Sequence, residues 1–446
     1  MKKLLLSGSL LLFLTLVAHA QDNTLTVSQT GDGNTATAIQ LGEFNEATIG
    51  QAGDDNTSFI DQFGYVQAAE TQQTGNGNSV EIIQTGDDVN EALVVQTGDE
   101  NRTEAEQEGT FLTLDALQEG NRNSLNTTQR GNVQTAFTSQ FGDDNSIGIF
   151  QEGEELSATV EQDGTFNIAG VDQIGNMLEA LVTQTGSENS ATVVQNEDMQ
   201  YAEVLQEGER NIAEVTQKGF QNDAFVDQLG DDNRAIISQD GIVQVAIIDQ
   251  EGDGNEGEIY QLQFAGPTNS ATILQLGDDN KALIDQSNFF TVQATATIEQ
   301  TGNLNVASIQ QANAFQVVAT IVQTGDENRA DISQSAISDQ SLVEITQTGN
   351  RNEGSILQGF EGNNNRAGII QTGDDNDAEI GQAFTSEGNE ADITQTGNLN
   401  EASITQYTSV DGTATITQTG DGHLGAIQQT GSTNTATVTQ QNGMVP

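Results

Sequence analysis

QTGDDNDAEIGQ, residues 371–382, has near copies at residues 51–62 (QAGDDNTSFIDQ), 228–239 (QLGDDNRAIISQ) and 395–406 (QTGNLNEASITQ). In each, Gln stands at both ends, Gly follows the first Gln by two residues and Asn by five. Outward from Gln371 the first Gln recurs at 347, 323 and 300 on one side and at 395 and 418 on the other. Eighteen such units run from Gln29 to Gln418. All have the Gly and the second Gln eleven residues on, and the Asn fails once, at His423. Units are 22 to 25 residues apart because their second halves stretch: eleven residues from Gln40 to Gln51 become fourteen from Gln261 to Gln275 and from Gln286 to Gln300. A fixed period with insertions confined to one part is the signature of stacked repeats with one tight and one tolerant arc.

Within each half the alternation has period two, which is strand patterning. Asn376, Ala378, Ile380 and Gln382 fall on one face, and acidic, hydroxyl and mixed residues on the other. Helix competes poorly, since the apolar positions are two apart and Gly punctuates every half. The expected fold is all-β: a β-solenoid with two strands per coil and about 18 stacked coils of 22–25 residues. Its interior is a thin layer of Ala, Ile and Val bounded by Gln and Asn. A buried amide is costly unless paired, and identical stacked amides pair along the axis. The ladder positions are therefore Gln29, Gly31, Asn34 and Gln40 in one coil, Gln228, Gly230, Asn233 and Gln239 in another, and Gln371, Gly373, Asn376 and Gln382 in a third. Gly accommodates an arc conformation that a side chain would obstruct, and Asn bonds local backbone at the turn.

Composition fits this picture. The 446 residues include no Trp, no Cys and two Pro, too little bulk for a thick core, so order comes from stacking. Twelve Lys and Arg face 66 Asp and Glu, a formal charge of −54. That balance excludes nucleic acid and anionic membrane surfaces as partners. Lys2 and Lys3, the apolar run from Leu4 to Val17 and Ala18-His19-Ala20 make residues 1–20 a secretory signal peptide, whose removal leaves −56. Later segments are too polar to span a bilayer, so no membrane insertion is expected. The repeat domain is residues 21–440, followed by a short tail, residues 441–446.

The pattern Q-x-G-x-x-N-x-A-x-x-x-Q resembles the curlin repeat of curli subunits, the functional amyloid fibres of bacterial surfaces. The resemblance covers nearly the whole chain after residue 23. It implies a secreted, extracellular fibre subunit that stacks end to end, serving biofilm matrix, adhesion and surface colonisation. It also implies the chain itself as chief partner, with a nucleator subunit and secretion or chaperone proteins beside it. Two departures are plain: familiar curli subunits have far fewer repeats, and a longer segment before the first one than Gln21–Asn23 here. A monomeric secreted β-solenoid, acting as an adhesin or ligand-binding rod, stands as the alternative.

Acidic pairs occupy many tight arcs, among them Asp54-Asp55 and Asp374-Asp375. Their hard oxygen ligands would suit Ca²⁺. However, the spacing is not that of a calcium-binding nonapeptide repeat, and arcs such as Gly302-Asn303-Leu304 lack the acids. They are read as a solvated, self-repelling edge, and no metal or cofactor is assigned. No catalytic residue is expected: His19 lies in the signal peptide, His423 fills an Asn slot, and the carboxylates follow the repeat everywhere. Phe289, Phe290 and Phe315, in the tolerant arcs, are expected to cover the longer loops.

Overall fold

Gln can meet Gln from coil to coil only if every strand lies parallel to the strand one repeat later, and within each part of the chain that is the arrangement found. The protein is seen in a computed structural model describing residues 18–19, 22–262, 268–287, 291–359, 363–383 and 387–442. The expected signal peptide as far as Val17, Phe289 and Phe290, and the last four residues of the tail lie outside the described residues. The described residues form strands, turns and bends, with no helix. The fold is a β-solenoid of about eighteen turns with two strands per turn, in two compact units, residues 1–214 and 215–446.

In the first unit the register advances by 22 or 23 residues without slippage. Thr24–Thr30 pairs with Glu46–Ala52, placing Gln29 beside Gln51, and Thr35–Glu43 pairs with Thr57–Tyr65, placing Gln40 beside Gln62. Inward positions are occupied by Ala47, Ile49, Ile60, Ile82 and Leu114, all fully buried. Three strands, Arg102–Glu119, Ser124–Asp143 and Ser146–Thr165, run unbroken through the tolerant arc, which the sequence pattern divides in two. Gly109, Gly131 and Gly153 make this possible, each turning the chain at a positive φ between 129° and 147° while the ladder continues.

In the second unit the same parallel pairing absorbs the insertions. The step is 25 residues from Gln250 to Gln275 and 24 from Gln347 to Gln371, yet Gln meets Gln in both cases. Asp377–Ala383 shows why: Ala378, Ile380 and Gln382 are at most 1% exposed, and their neighbours face outward. Shifting the pairing by one residue would turn Ile380 to solvent and Glu379 inward. Burying one Ile is worth roughly 1.5–3 kcal/mol, so the period-two pattern holds the register while length changes are displaced to the loops. Phe315 is exposed, not folded over a loop, because it occupies an outward position of Val306–Phe315.

Candidate functional site

Gln carries the most regular chemistry. Gln29 Nε2 donates to Gln51 Oε1 at 2.6 Å, and Gln40 to Gln62 at 3.0 Å. Gln228 donates to Gln250 at 2.8 Å and Gln239 to Gln261 at 3.0 Å. Gln371 accepts from Gln347 at 2.8 Å and donates to Gln395 at 3.0 Å, and Gln382 donates to Gln406 at 2.8 Å. The second N–H of most of these amides crosses the coil to a carbonyl of the facing strand, as from Gln371 to Glu353 (2.8 Å) and from Gln382 to Arg366 (3.1 Å). Such an amide ties its coil to the next and closes its own coil across the core.

Gly and Asn form one device. Gly31, Gly230 and Gly373 sit at φ of 110°, 120° and 117°, where a side chain is strained. A Cβ on Gly31 would lie 2.0 Å from the Gly53 carbonyl oxygen. Asn34 Nδ2 donates to that same oxygen at 2.6 Å, and Asn34 Oδ1 accepts the Asn56 N–H at 2.9 Å. Asn233 repeats this with Gly252 (2.7 Å) and Asn255 (2.9 Å), and Asn376 with Gly397 (2.8 Å) and Asn400 (3.1 Å). In the tolerant arc of the first unit the same slot holds Asn45, Gln67, Asn90, Leu112, Gln134 or Leu156, all buried. The Oε1 atoms of Gln67 and Gln134 have no hydrogen-bond partner there. That arc accepts either an amide or an aliphatic side chain, which explains why its letters vary.

The acidic pair divides into two roles. Asp54 Oδ1 accepts the Asp32 N–H at 2.8 Å, and the Asp54 N–H donates to Asn76 Oδ1 at 3.0 Å. Asp374 Oδ1 accepts the Asn350 N–H at 2.9 Å, and the Asp374 N–H donates to Asn398 Oδ1 at 2.8 Å. The first acid is therefore a rung in a third ladder that satisfies turn N–H groups. Sequence reasoning took it for exposed edge only. The second acid, Asp55 or Asp375, sits at the left-handed tip with φ of 57°. Arg351 grips Asp375 with two bonds of 2.7 and 2.9 Å, and holds its carboxyl below the usual range. Arg122 does the same to Asp144.

A further regularity escaped the sequence reading, although a 22-residue comparison would expose it. At the tip position acids do not stack on acids, and from Asp278 onward neither do they at the first arc position, although Asp231, Asp253 and Asp278 follow one another. The first arc position alternates Asp278, Asn303, Asp326, Asn350, Asp374, Asn398 and Asp421. The tip position reads Asp279, Leu304, Glu327, Arg351, Asp375 and Leu399. Like charges at ladder spacing destabilise a pair, and alternation doubles their separation. Each of the ten Lys and Arg residues after Lys3 lies within ion-pair distance of a carboxylate, so the remaining charge is almost wholly negative.

Among the described residues, no group of three or more His, Cys, Asp or Glu is placed to hold a metal ion. His423 lies in the Asn column, its N–H bonded to Asn400 Oδ1 at 3.1 Å and its ring to the Thr419 carbonyl. No described helix is long and apolar enough to cross a membrane. The arrangement can hold coils together and present charge.

A family model described as the curlin associated repeat matches the chain at residues 20–64, 75–109, 120–153, 153–186, 208–241, 245–287, 339–373, 361–383, 387–409 and 411–441. Comparison with curated proteins finds no match.

Proposed function

The chain belongs to the curlin-repeat family, and from that premise we propose that it is a secreted structural subunit that polymerises end to end into curli-type amyloid fibres. The observation that carries the proposal is the open ladder edge. Thr435–Gln441 pairs with Thr413–Thr419, and its other edge meets no described strand. Ala436, Val438 and Gln440 keep the inward pattern there but are not fully buried. Gln29 Oε1, at the head of its column, is buried with no hydrogen-bond partner. An open parallel edge templates a further strand, and an orphan amide oxygen favours a partner that brings an N–H. A second copy of this chain supplies both. Such fibres would serve biofilm matrix, adhesion and surface colonisation, with a nucleator and secretion or chaperone proteins as accessory partners and no catalytic chemistry.

The test uses purified chain lacking residues 1–20. Incubation should yield fibres that bind an amyloid dye and give a meridional reflection at about 4.7–4.8 Å. The secreted adhesin or ligand-binding rod retains a claim because most ladder bonds close within a single chain. A protein that stays folded and monomeric for days would favour it. Growth should be faster at pH 4 than at pH 7, and faster in high salt, because both weaken repulsion between acidic arcs. Identical lag times across that range would count against end-to-end addition limited by charge.

A further inference from the structure

The two arcs of the first unit differ in a way that stacking does not require. At the tight-arc tips the left-handed position holds Asp55, Gly77, Glu100, Arg122, Asp144, Glu188 and Arg210, with Phe166 the apolar exception. At the tolerant-arc tips the equivalent position holds Phe44, Val66, Phe111, Val133, Met177 and Met199, with φ between 54° and 61°. Bulky and β-branched residues are strained at such φ values, whereas Gly, Asn and Asp are suited to them. All but the half-buried Val66 are also exposed, Phe111 by 55%, Val133 by 49%, Phe44 by 45% and Met177 by 43%. Tyr65 and Val89 add to the same edge, and the Phe44 and Tyr65 rings meet edge to face with centroids 5.4 Å apart. Strain and exposure both disfavour an apolar column on an isolated chain. Together they mark a surface that becomes covered.

We infer that this tolerant-arc edge, from Phe44 to Met199, is a lateral docking surface for a second copy of the chain. The column repeats at strand spacing, so a partner can engage every rung only if it has the same pitch, which the same edge of a second copy has. Glu155 interrupts the column, and the acids beside the rungs repel a second copy in either direction, so the contact forms where salt or low pH screens them. A two-fold arrangement centred between the rungs of Phe111 and Val133 places Phe44 against the partner's Met199 and Phe111 against the partner's Val133. It also turns both acidic tight arcs outward. Glu43, Asp87, Asp88, Glu154 and Asp198 flank the column at the solvent rim.

Area decides when the contact forms. Eight rungs about 4.8 Å apart make an edge about 34 Å long, and a width near the sheet spacing of about 10 Å gives a footprint of roughly 340 Å². A stable pair of proteins uses about 800 Å² on each side. Single copies should therefore meet only weakly. In fibres built as proposed above, successive edges add and the contact becomes multivalent. Lateral bundling thus rests on end-to-end assembly and follows it.

The test replaces Phe44, Phe111, Val133, Met177 and Met199 by Asn, which relieves the left-handed strain and so preserves folding. Fibres of this variant should keep the meridional reflection near 4.7–4.8 Å but appear as single filaments under the electron microscope where the unaltered chain forms bundles. Bundles of unchanged width would overturn the inference. If the unaltered chain forms no fibres, the fibre proposal fails and cross-linking decides the docking surface alone. The chain has no Cys, so a mixture of Phe111→Cys and Val133→Cys variants reports only on the introduced thiols. Disulfide-linked heterodimers should form faster than from Asp55→Cys mixed with Glu100→Cys on the acidic edge. Equal rates would sink the docking surface.

Discussion

A methyl group added at Gly373 would lie 2.1 Å from the Gly397 carbonyl oxygen, on backbone at φ of 117°. Gly381, eight residues on by number, meets nothing within 4 Å. The two glycines should therefore respond oppositely to Ala. Gly373→Ala should destabilise by about 2 kcal/mol or more, combining backbone strain with displacement of the next coil. Gly381→Ala should be neutral or stabilising by about 0.5 kcal/mol, since it removes only the entropy cost of Gly in a strand. Denaturant unfolding of the two variants checks both. Gln371→Glu is a sharper probe of the amide column. It puts a carboxylate against Gln395 Oε1 and the Glu353 carbonyl, both of which accept from Gln371. The loss should be about 3 kcal/mol or more near neutral pH, and smaller in acid, where a protonated Glu regains a donor.

The two arcs of a coil obey different rules, and substitutions should show it. Asn376→Ala removes bonds to the Gly397 carbonyl and the Asn400 N–H and should cost about 1–3 kcal/mol. Leu112, in the equivalent slot of the tolerant arc, already dispenses with the amide. Arg351→Ala should change stability little and lose its effect in salt, because Arg351 and Asp375 are 50% and 39% exposed. The tight arc was legible in the sequence because Gly and Asn must hold their places: one leaves room for a carbonyl and the other binds it. The tolerant arc was less so. Gln, Asn and Leu all fill its slot, so its strands run through turns that the pattern appeared to cut. Asp374 was misjudged for a related reason: a carboxylate accepting a turn N–H and one facing solvent are the same letter. Only comparison across coils separates them, because most of these first arc positions hold Asp or Asn, each with an oxygen that accepts the turn N–H.

Charge acts over the whole chain. Burial pushes the Asp61, Asp172, Asp223, Asp249, Asp377 and Asp392 carboxyls above the ordinary Asp value of 3.8. Their contribution to stability is complete below that value and is lost as pH rises through the raised folded-state values. Asp144 and Asp375 shift the other way, through Arg122 and Arg351, so their contribution is present above 3.8 and lost as pH falls through the lowered values. Both are exposed and matter less. Thermal melts should therefore show the fold strengthening as pH falls from 7 towards 4; a midpoint that drops over that range would contradict this balance. The Gln columns have one consequence of another kind. Backbone bonds run both ways along the axis, from Gly373 N back to Thr348 O and from Asp377 N forward to Asn400 O. The Gln amides run one way, each Nε2 pointing to the following coil. With a dipole of about 3.5 D for each amide, these columns add where the backbone cancels. Each unit is then a permanent electric dipole with its positive pole towards later coils, and a population of such chains should orient in an applied field with a single preferred sense.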